Sequence, residues 1–183
     1  MDNKFDHPPI YSSASGQAAD AAAEVLPDDG LHMLELALQR AGEGLARWQT
    51  VCIEQISTVP LASAEITLLQ LIGKGGRSKT IKELAQTTNR TDIPNIQYSL
   101  RKLASAGLTR KQGAGRSGVT YRLTEEGSQL ADRLQDTRER LLLQALAGCP
   151  DLARRLHSAA EALEHLTELL GAAVRQAEAH SGP

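Results

Sequence analysis

Two long segments of the chain repeat apolar residues at alternating steps of three and four, and this pattern limits the possible folds more than any other. The first repeat runs from Leu31 to Ile56 and the second from Leu152 to Val174. Such spacing places the apolar side chains on one face of an α-helix that packs along its length. We expect the two helices to pair with each other and with a second copy about a two-fold axis. Folding back onto their own chain is the alternative.

Between these segments the sequence indicates three shorter helices. Pro60 ends the first long helix, and Ser63 is a candidate N-cap for the next. Thr80 and Glu83 have the spacing of a capping box, which predicts a short helix beginning at that point. A third helix is expected over residues 92–106, with Thr91 or Asp92 as its cap and a glycine, Gly107, at its end.

A β-hairpin is predicted directly after the third short helix. Two extended runs, Leu108–Gln112 and Val119–Leu123, flank the glycine-rich connector 113–118. Alternating apolar residues on both sides of such a connector are typical of a hairpin with a flexible tip. Thr124 then caps another helix, and the acidic residues of its first turn suit the positive end of the helix dipole.

The positive charge of the chain is concentrated in its middle. Residues 73–122 contain eleven cationic side chains and two anionic ones, a net charge of +9, whereas the rest of the chain carries −11. A segregation this strong favours binding of a polyanion, and the acidic remainder is expected to stay away from it. A solvated basic face is the alternative interpretation.

The helix at 92–106 has one apolar face and one face suited to reading DNA. The apolar positions are Ile93, Ile96, Leu100 and Leu103. We expect five polar residues on the other face to contact DNA: Asn95, Gln97, Tyr98, Arg101 and Lys102. Asn, Gln and Arg side chains can pair with base edges in the major groove, and an exposed Tyr can reach a phosphate or a thymine methyl.

Further contacts to the duplex are predicted outside this helix. Arg116 and Ser117 lie in the tip of the hairpin, where an arginine can enter a narrow minor groove; a solvated loop cation is the alternative for Arg116. Arg110, Lys111, Lys79 and Thr80 are candidate phosphate contacts, the last two because they precede a helix N-terminus.

These motifs together resemble the MarR (multiple antibiotic resistance regulator) family. The resemblance rests on the run from Thr91 to Leu103, the Ala106-Gly107-Leu108 step, the Gly/Arg wing and Leu123-Thr124-Glu125-Glu126-Gly127. It covers residues 31–178 in element order and is specific within 64–128. The wing is short and lacks the Asp-Arg-Arg pattern common in the family, so Arg116 transfers as a wing cation rather than as a detailed contact.

The resemblance implies a two-fold dimer and a small aromatic or anionic effector bound between the dimer helices and the DNA-binding lobe. Trp48 and Thr50 lie where such a cleft is expected, although Trp48 also suits a role as a core anchor. No other cofactor is expected. Cys52 has the character of a buried apolar residue, with a redox-sensing thiol as the alternative. His157 and His165 lack ligand partners at metal-binding spacing.

The predicted fold class is therefore mainly α (α+β). A winged helix-turn-helix lobe spans residues 61–124, helical dimerisation segments span 31–60 and 125–178, and residues 1–30 are expected to be disordered. The predicted function is a ligand-responsive, sequence-specific repressor that binds double-stranded DNA as a homodimer. A helical module that binds a protein through the winged lobe is the alternative.

Other classes of protein fit the sequence poorly. Paired carboxylates, a nucleophile elbow and a phosphate-binding loop are not recognisable, so an enzyme is not expected. The sequence has no run of eighteen apolar residues to span a membrane, and its two cysteines suggest no disulfide framework. We therefore expect a cytoplasmic protein associated with the nucleoid.

Overall fold

The computed structural model describes residues 29–113 and 118–180, so the disorder predicted for residues 1–30 concerns a segment that lies almost wholly outside the described residues. The described residues form six α-helices and three short β-strands. In chain order these are α1 (Gly30–Glu54), α2 (Ser63–Gly73), β1 (Lys79–Thr80), α3 (Ile81–Thr87), α4 (Ile93–Ser105), β2 (Thr109–Gln112), β3 (Thr120–Leu123), α5 (Glu125–Ala147) and α6 (Pro150–His180). The predicted mainly helical fold with a small β-hairpin wing is confirmed.

The sheet contains one strand more than the sequence indicated. Its order is β1-β3-β2, and both pairings are antiparallel. Lys79 of β1 pairs with Tyr121 of β3, and Lys111 of β2 pairs with Tyr121 from the other side. A two-residue strand is too short to show an alternating pattern, so residues 79 and 80 were recognisable only as the approach to a helix.

The hydrophobic core lies within the winged lobe and the helix segments that touch it. Residues from α1, α2, α3, α4 and α5 are almost fully enclosed there, including Cys52, Ile53, Ile66, Leu68, Leu69, Ile72, Leu84, Ile96, Leu100, Leu103, Leu130 and Leu134. Three of the four apolar positions predicted on α4 belong to this core. The fourth, Ile93, is 36% exposed because it occupies the first turn of the helix.

The cap predicted at Ser63 is wrong. Ala62 is the N-cap of α2, and its backbone N–H donates to Oε2 of Glu65 at 2.9 Å. Ser63 lies inside the helix, where its hydroxyl donates to the side chain of Gln49 on α1. The capping box predicted at Thr80 and Glu83 is confirmed.

The junction between the wing and α5 explains the Leu-Thr-x-x-Gly motif. The Thr124 hydroxyl accepts from the backbone N–H of Gly127 at 3.0 Å and donates to the carbonyl of Gly107 at 2.6 Å. A Cβ at Gly127 would lie 1.9 Å from the carbonyl oxygen of Leu108. Only glycine fits there, because any side chain would overlap the backbone that enters the wing.

The two leucine repeats are largely exposed in the single chain. Leu31 and Leu45 on α1 are 61% and 49% exposed, and Leu163 and Leu170 on α6 are 49% and 53% exposed. In the part of the chain that the structure describes, no helix combines the length and apolarity needed to cross a bilayer. The repeats therefore form surface seams on amphipathic helices.

Candidate nucleic-acid interface

The N-terminus of α4 is fixed by a charged cluster around Asp92. Arg90 donates to both carboxylate oxygens of Asp92, from Nε at 2.8 Å and from Nη2 at 2.7 Å. The amide of Asn95 donates to Oδ2 of Asp92 at 3.0 Å. These contacts, led by the Arg90 hydrogen bonds, hold the pKa of Asp92 well below its usual range. Asn95 is exposed, but its side chain has one donor engaged in this cluster.

Three of the predicted reading residues project from α4 without partners. Gln97, Tyr98 and Arg101 are exposed, and Tyr98 retains 61% of its accessible surface. Their side chains form no hydrogen bond or ion pair with any residue in the described ranges. A surface with an amide, a phenol and a guanidinium free to bond offers the donor and acceptor groups that base edges accept.

Lys102 departs from the expected arrangement. Its ammonium lies 3.1 Å from Oε2 of Glu65, a carboxylate of α2 that is almost completely buried. The side chain of Lys102 is therefore half-buried against α2 and does not share the outward face of Arg101. Its contact with DNA stays a prediction.

The outer face of the wing carries two opposed arginines. Arg110 on β2 and Arg122 on β3 are directly opposite in the antiparallel register, and both are exposed. Like charges in such positions destabilise a hairpin. Neither has an ion pair with a carboxylate of the described residues, and both line a cleft of about 410 Å³ beside the N-terminus of α5. Their arrangement suits an external anion.

Thr80 is already engaged in capping α3. Its hydroxyl accepts from the N–H of Glu83 at 3.1 Å and donates to Oε2 of Glu83 at 3.0 Å. The backbone N–H of Thr80 also donates to this carboxylate and, with a hydrogen bond from Arg77, lowers the pKa of Glu83 to about 2. Lys79 is half-buried beside Tyr121, whereas Lys111 is exposed. Phosphate contacts by these residues remain predictions.

The predicted wing-tip contacts, Arg116 and Ser117, lie outside the described residues. The glycines on either side of the tip have backbone conformations in the left-handed region, with φ of 81° at Gly113 and 73° at Gly118. A Cβ at Gly113 would lie 2.8 Å from the carbonyl oxygen of Gly118. The two ends of the connector therefore approach each other too closely for a side chain at Gly113.

A second cleft, of about 480 Å³, lies between α2, β3 and α5. Arg138 of α5 lines it and places its guanidinium 4.9 Å from the centre of the Trp48 ring. The Nε of Arg138 is buried without a hydrogen-bond partner among the described residues. Neither Trp48 nor Thr50 lines this cleft, and the Thr50 hydroxyl donates to the backbone of Ala46.

Cys52 is fully buried in the core beside Arg138. Burial raises the pKa of its thiol more than the positive charge of Arg138 lowers it. A thiol held in its protonated form is a poor nucleophile, which favours the structural role over redox sensing. His157 is exposed and lies 3.4 Å from the carboxylate of Glu161, and no cluster of metal-binding side chains occurs within the two described ranges.

Three residues that contribute to the geometry of these sites are not singled out by the sequence analysis. Glu65, Arg122 and Arg138 owe their roles to partners distant in sequence or on another element. The predicted strand Val119–Leu123 contains Arg122, but the sequence does not fix the hairpin register that places it opposite Arg110.

Residues 61–127, about a third of the chain, match the family described as winged helix DNA-binding domain. A MarR-family transcriptional regulator from Rhodococcus sp. RHA1 superposes with a TM-score of 0.63 at 17% identity, over 77% of this chain and 96% of that one. NMB1585, a MarR-family regulator from Neisseria meningitidis, gives 0.62 at 20% identity, over 80% of this chain and 96% of that one.

CouR from Rhodococcus jostii RHA1, solved with bound p-coumaroyl-CoA, gives a TM-score of 0.61 at 18% identity, over 73% of this chain and 91% of that one. No curated protein is significantly similar to this chain in sequence. The predicted resemblance to the MarR family is confirmed at the level of the fold. The chain contains a winged helix DNA-binding domain within the architecture of MarR-family transcription regulators.

Proposed function

We propose that this protein is a sequence-specific transcription regulator that represses by occupying a pseudo-palindromic promoter site as a homodimer. The observation that supports this most directly is the outward face of α4, where Gln97, Tyr98 and Arg101 are exposed and unpartnered by the described residues. An α-helix with such a face fits the major groove of B-DNA. Unpaired cations of the wing flank it and supply phosphate contacts.

The same face argues against the alternative of a protein-binding lobe. A lobe that docks on a protein is expected to expose a contiguous apolar patch. The projecting side chains of α4 are instead polar or amphipathic, and Ile93 contributes the one large aliphatic side chain exposed on that described helix. The chemistry of the surface therefore favours nucleic acid.

The homodimer is supported by the exposed seams on α1 and α6. Apolar side chains repeated over many helical turns gain free energy by leaving water, and a second copy presents the same surface. A two-fold arrangement would place two copies of α4 about one turn of DNA apart, which is the spacing of half-sites in a pseudo-palindrome.

The direct test of sequence reading is selection of bound duplexes from a random pool, followed by binding of the selected site to Arg101→Ala. We expect the substitution to weaken specific binding by about 1–3 kcal/mol and to relax the preference at one position of each half-site. Arg133→Ala, which removes an exposed arginine of α5, serves as the control. A selected site bound equally well by Arg101→Ala would contradict the assignment of α4 as the reading helix.

We also propose that a small anionic effector binds in the cleft lined by Arg138. This guanidinium has no carboxylate partner in the described residues, and it lies where the DNA-binding lobe meets the helix that leads away from it. A ligand there could alter the spacing of the two reading helices. CouR, which shares the fold, has been solved with p-coumaroyl-CoA bound.

The effector proposal is tested by titrating the protein with phenylacetate while following the fluorescence of Trp48, the single tryptophan of the chain. We expect a saturable change that Arg138→Met abolishes, because the cation that pairs with the carboxylate is lost. The neutral analogue phenylacetamide is the matched control. Equal responses to both ligands, or an unaltered response in Arg138→Met, would contradict a role for the charge.

We propose that a regulator of this kind works in the cytoplasm at the nucleoid.

A further inference from the structure

The carboxylate of Glu65 is buried in the interior of the lobe and accepts three hydrogen bonds. The residue belongs to the first turn of α2 and retains 4% of its accessible surface. Its Oε1 accepts from the Ser99 hydroxyl at 2.7 Å. Its Oε2 accepts from the Ala62 N–H at 2.9 Å and from the Lys102 ammonium at 3.1 Å. One side chain therefore links the start of α2 to two positions of α4.

The link is a charged one. Burial by itself raises the pKa of Glu65, but hydrogen bonds from Ser99, Ala62 and Lys102 outweigh it, and the pKa lies below its ordinary value. The group is consequently an anion, and a buried anion without its partners is strongly unfavourable. Any movement of α4 that separated Ser99 and Lys102 from Glu65 would leave this buried anion unpaired and would therefore be unfavourable in free energy.

The position of these bonds on α4 determines which residues face outward. Ser99 and Lys102 are three residues apart and so lie on the same side of the helix. Tyr98 and Arg101 each precede one of them by a single residue, which corresponds to a rotation of about 100° on an α-helix. Holding Ser99 and Lys102 against α2 therefore fixes the rotation at which Tyr98 and Arg101 project.

We propose that Glu65 is a positioning residue of the DNA-binding surface, which sets the rotation of α4 and withholds the charge of Lys102 from DNA phosphates. This inference rests on the proposed function, since it assigns a role within DNA recognition. In this arrangement Lys102 is a structural partner of Glu65, although it lies in the most basic segment of the chain. Apolar packing alone could join α2 and α4, but it would leave Lys102 free to bind phosphate at any sequence.

The principal test compares wild type with Glu65→Gln, which keeps the shape of the side chain and removes its charge. Affinity for the selected site and for a random duplex is measured as a function of salt. We expect specific affinity to fall about tenfold, as for loss of one base contact. Binding to the random duplex should become stronger and its salt dependence steeper by about 0.9 for each freed lysine, or about 1.8 per dimer.

Three further variants separate positioning from charge. In Glu65→Gln combined with Lys102→Met, the salt dependence should return to the wild-type slope while the loss of specific affinity persists. Lys102→Met alone should leave the wild-type slope unchanged, because its charge is already matched by Glu65. Ser99→Ala should weaken specific binding without altering the slope, since it leaves the ion pair in place.

The outcomes distinguish the two proposals. Wild-type protein that binds no duplex overturns the proposed function and this inference together. A different result overturns this inference alone. In it the wild-type protein binds DNA, but the salt dependence of Lys102→Met is shallower than that of wild type by about 1.8 per dimer, which would make Lys102 a phosphate contact. Thermal unfolding identifies variants that fail to fold. If the charge variants are among them, Ser99→Ala decides the question, because unchanged specific binding in that variant also overturns this inference.

Discussion

The winged lobe and the helical arms, by which we mean α6 and the part of α1 before Trp48, differ in how they bury their apolar side chains. In the lobe, Ile66, Leu68 and Leu100 are at most 1% exposed. In the arms, Leu31 and Leu169 remain 61% and 67% exposed although they lie on regular helices.

The difference shows that the lobe completes its core within one chain, whereas the arms do not. A leucine side chain moved from water into a packed interior contributes about 1.5–3 kcal/mol, so each exposed leucine of an arm represents stability that one copy does not realise. The lobe also satisfies its buried charge internally, through the contacts of Glu65. We therefore expect the arms, but not the lobe, to depend on a second copy.

The largest effect is expected from charges placed on the seam of α6. Leu163→Glu combined with Leu170→Glu should produce a monomer, because buried unpaired carboxylates would oppose association. Loss of simultaneous binding to two half-sites should lower DNA affinity by about 100-fold or more. Sedimentation equilibrium and duplex binding measure the two effects.

The matched control is His165→Glu, which adds the same charge to α6 away from the seam. It should leave both the dimer and the affinity unchanged. A double variant that remains dimeric would show that the seam is not the interface and would remove the contrast between arms and lobe.

A pair of glycine substitutions compares the two regions directly. Gly127→Ala forces a Cβ to within 1.9 Å of the Leu108 carbonyl, so the backbone must shift and stability should fall by about 3 kcal/mol. Gly42→Ala lies in the interior of α1 with no neighbouring atom within 4 Å, and should stabilise by about 0.5–1 kcal/mol through helix propensity. Urea unfolding at constant protein concentration measures both changes. Destabilisation by Gly42→Ala would instead indicate a partner helix packed closely against that position.

The sequence predicts local features of both regions and misses features that depend on distant partners. The inward positions of Ile96, Leu100 and Leu103 follow from a helical period, and the capping box at Thr80 follows from three residues of spacing. Glu65 and Ser99, by contrast, are 34 residues apart and meet only in the folded lobe. The helical period alone therefore predicts Lys102 on the outward face of α4 together with Arg101, whereas in the folded lobe its ammonium pairs with Glu65.

The same limit applies to the wing and the arms. The sequence predicts a hairpin without fixing its register, and only the folded sheet places Arg110 opposite Arg122, with both side chains exposed and unpaired in the described structure. The exposed seams were predictable as amphipathic helices because their period is uninterrupted. Under the proposed dimer, the surface that covers them belongs to a second molecule, and no short stretch of residues encodes contacts of that kind.

Lowering the pH should reduce the stability of the lobe before it reduces that of the arms. The carboxyl groups whose pKa values are lowered among the described residues, Glu65, Glu83 and Asp92, all belong to the lobe. For Glu83 the pKa falls from 4.5 to about 2 on folding. A group with a lowered folded pKa stabilises the fold fully above its unfolded pKa, and this contribution is lost as the pH falls towards the folded value.

We therefore expect the lobe to lose thermal stability between about pH 4.5 and pH 2, with helical signal from the arms persisting to lower pH. Circular dichroism melts at pH 7, 4.5 and 3 provide the measurement. Glu83→Gln should show a smaller decrease than wild type, whereas Glu164→Gln, an acid of α6, should follow wild type. Coincident loss of lobe and arms at every pH would contradict their separation.

The smallest effect is expected at the wing, where stability and binding should change in opposite directions. Arg122→Gln removes one of two like charges that face each other across β2 and β3. The hairpin should gain about 0.5 kcal/mol, since opposed like charges are unfavourable. Affinity for any duplex should nevertheless fall, and the salt dependence should become shallower by about 0.9 per subunit if each Arg122 contacts one phosphate. Arg133→Gln, which removes an exposed arginine of α5, should change neither quantity. An unchanged salt dependence in Arg122→Gln would contradict a phosphate contact by Arg122.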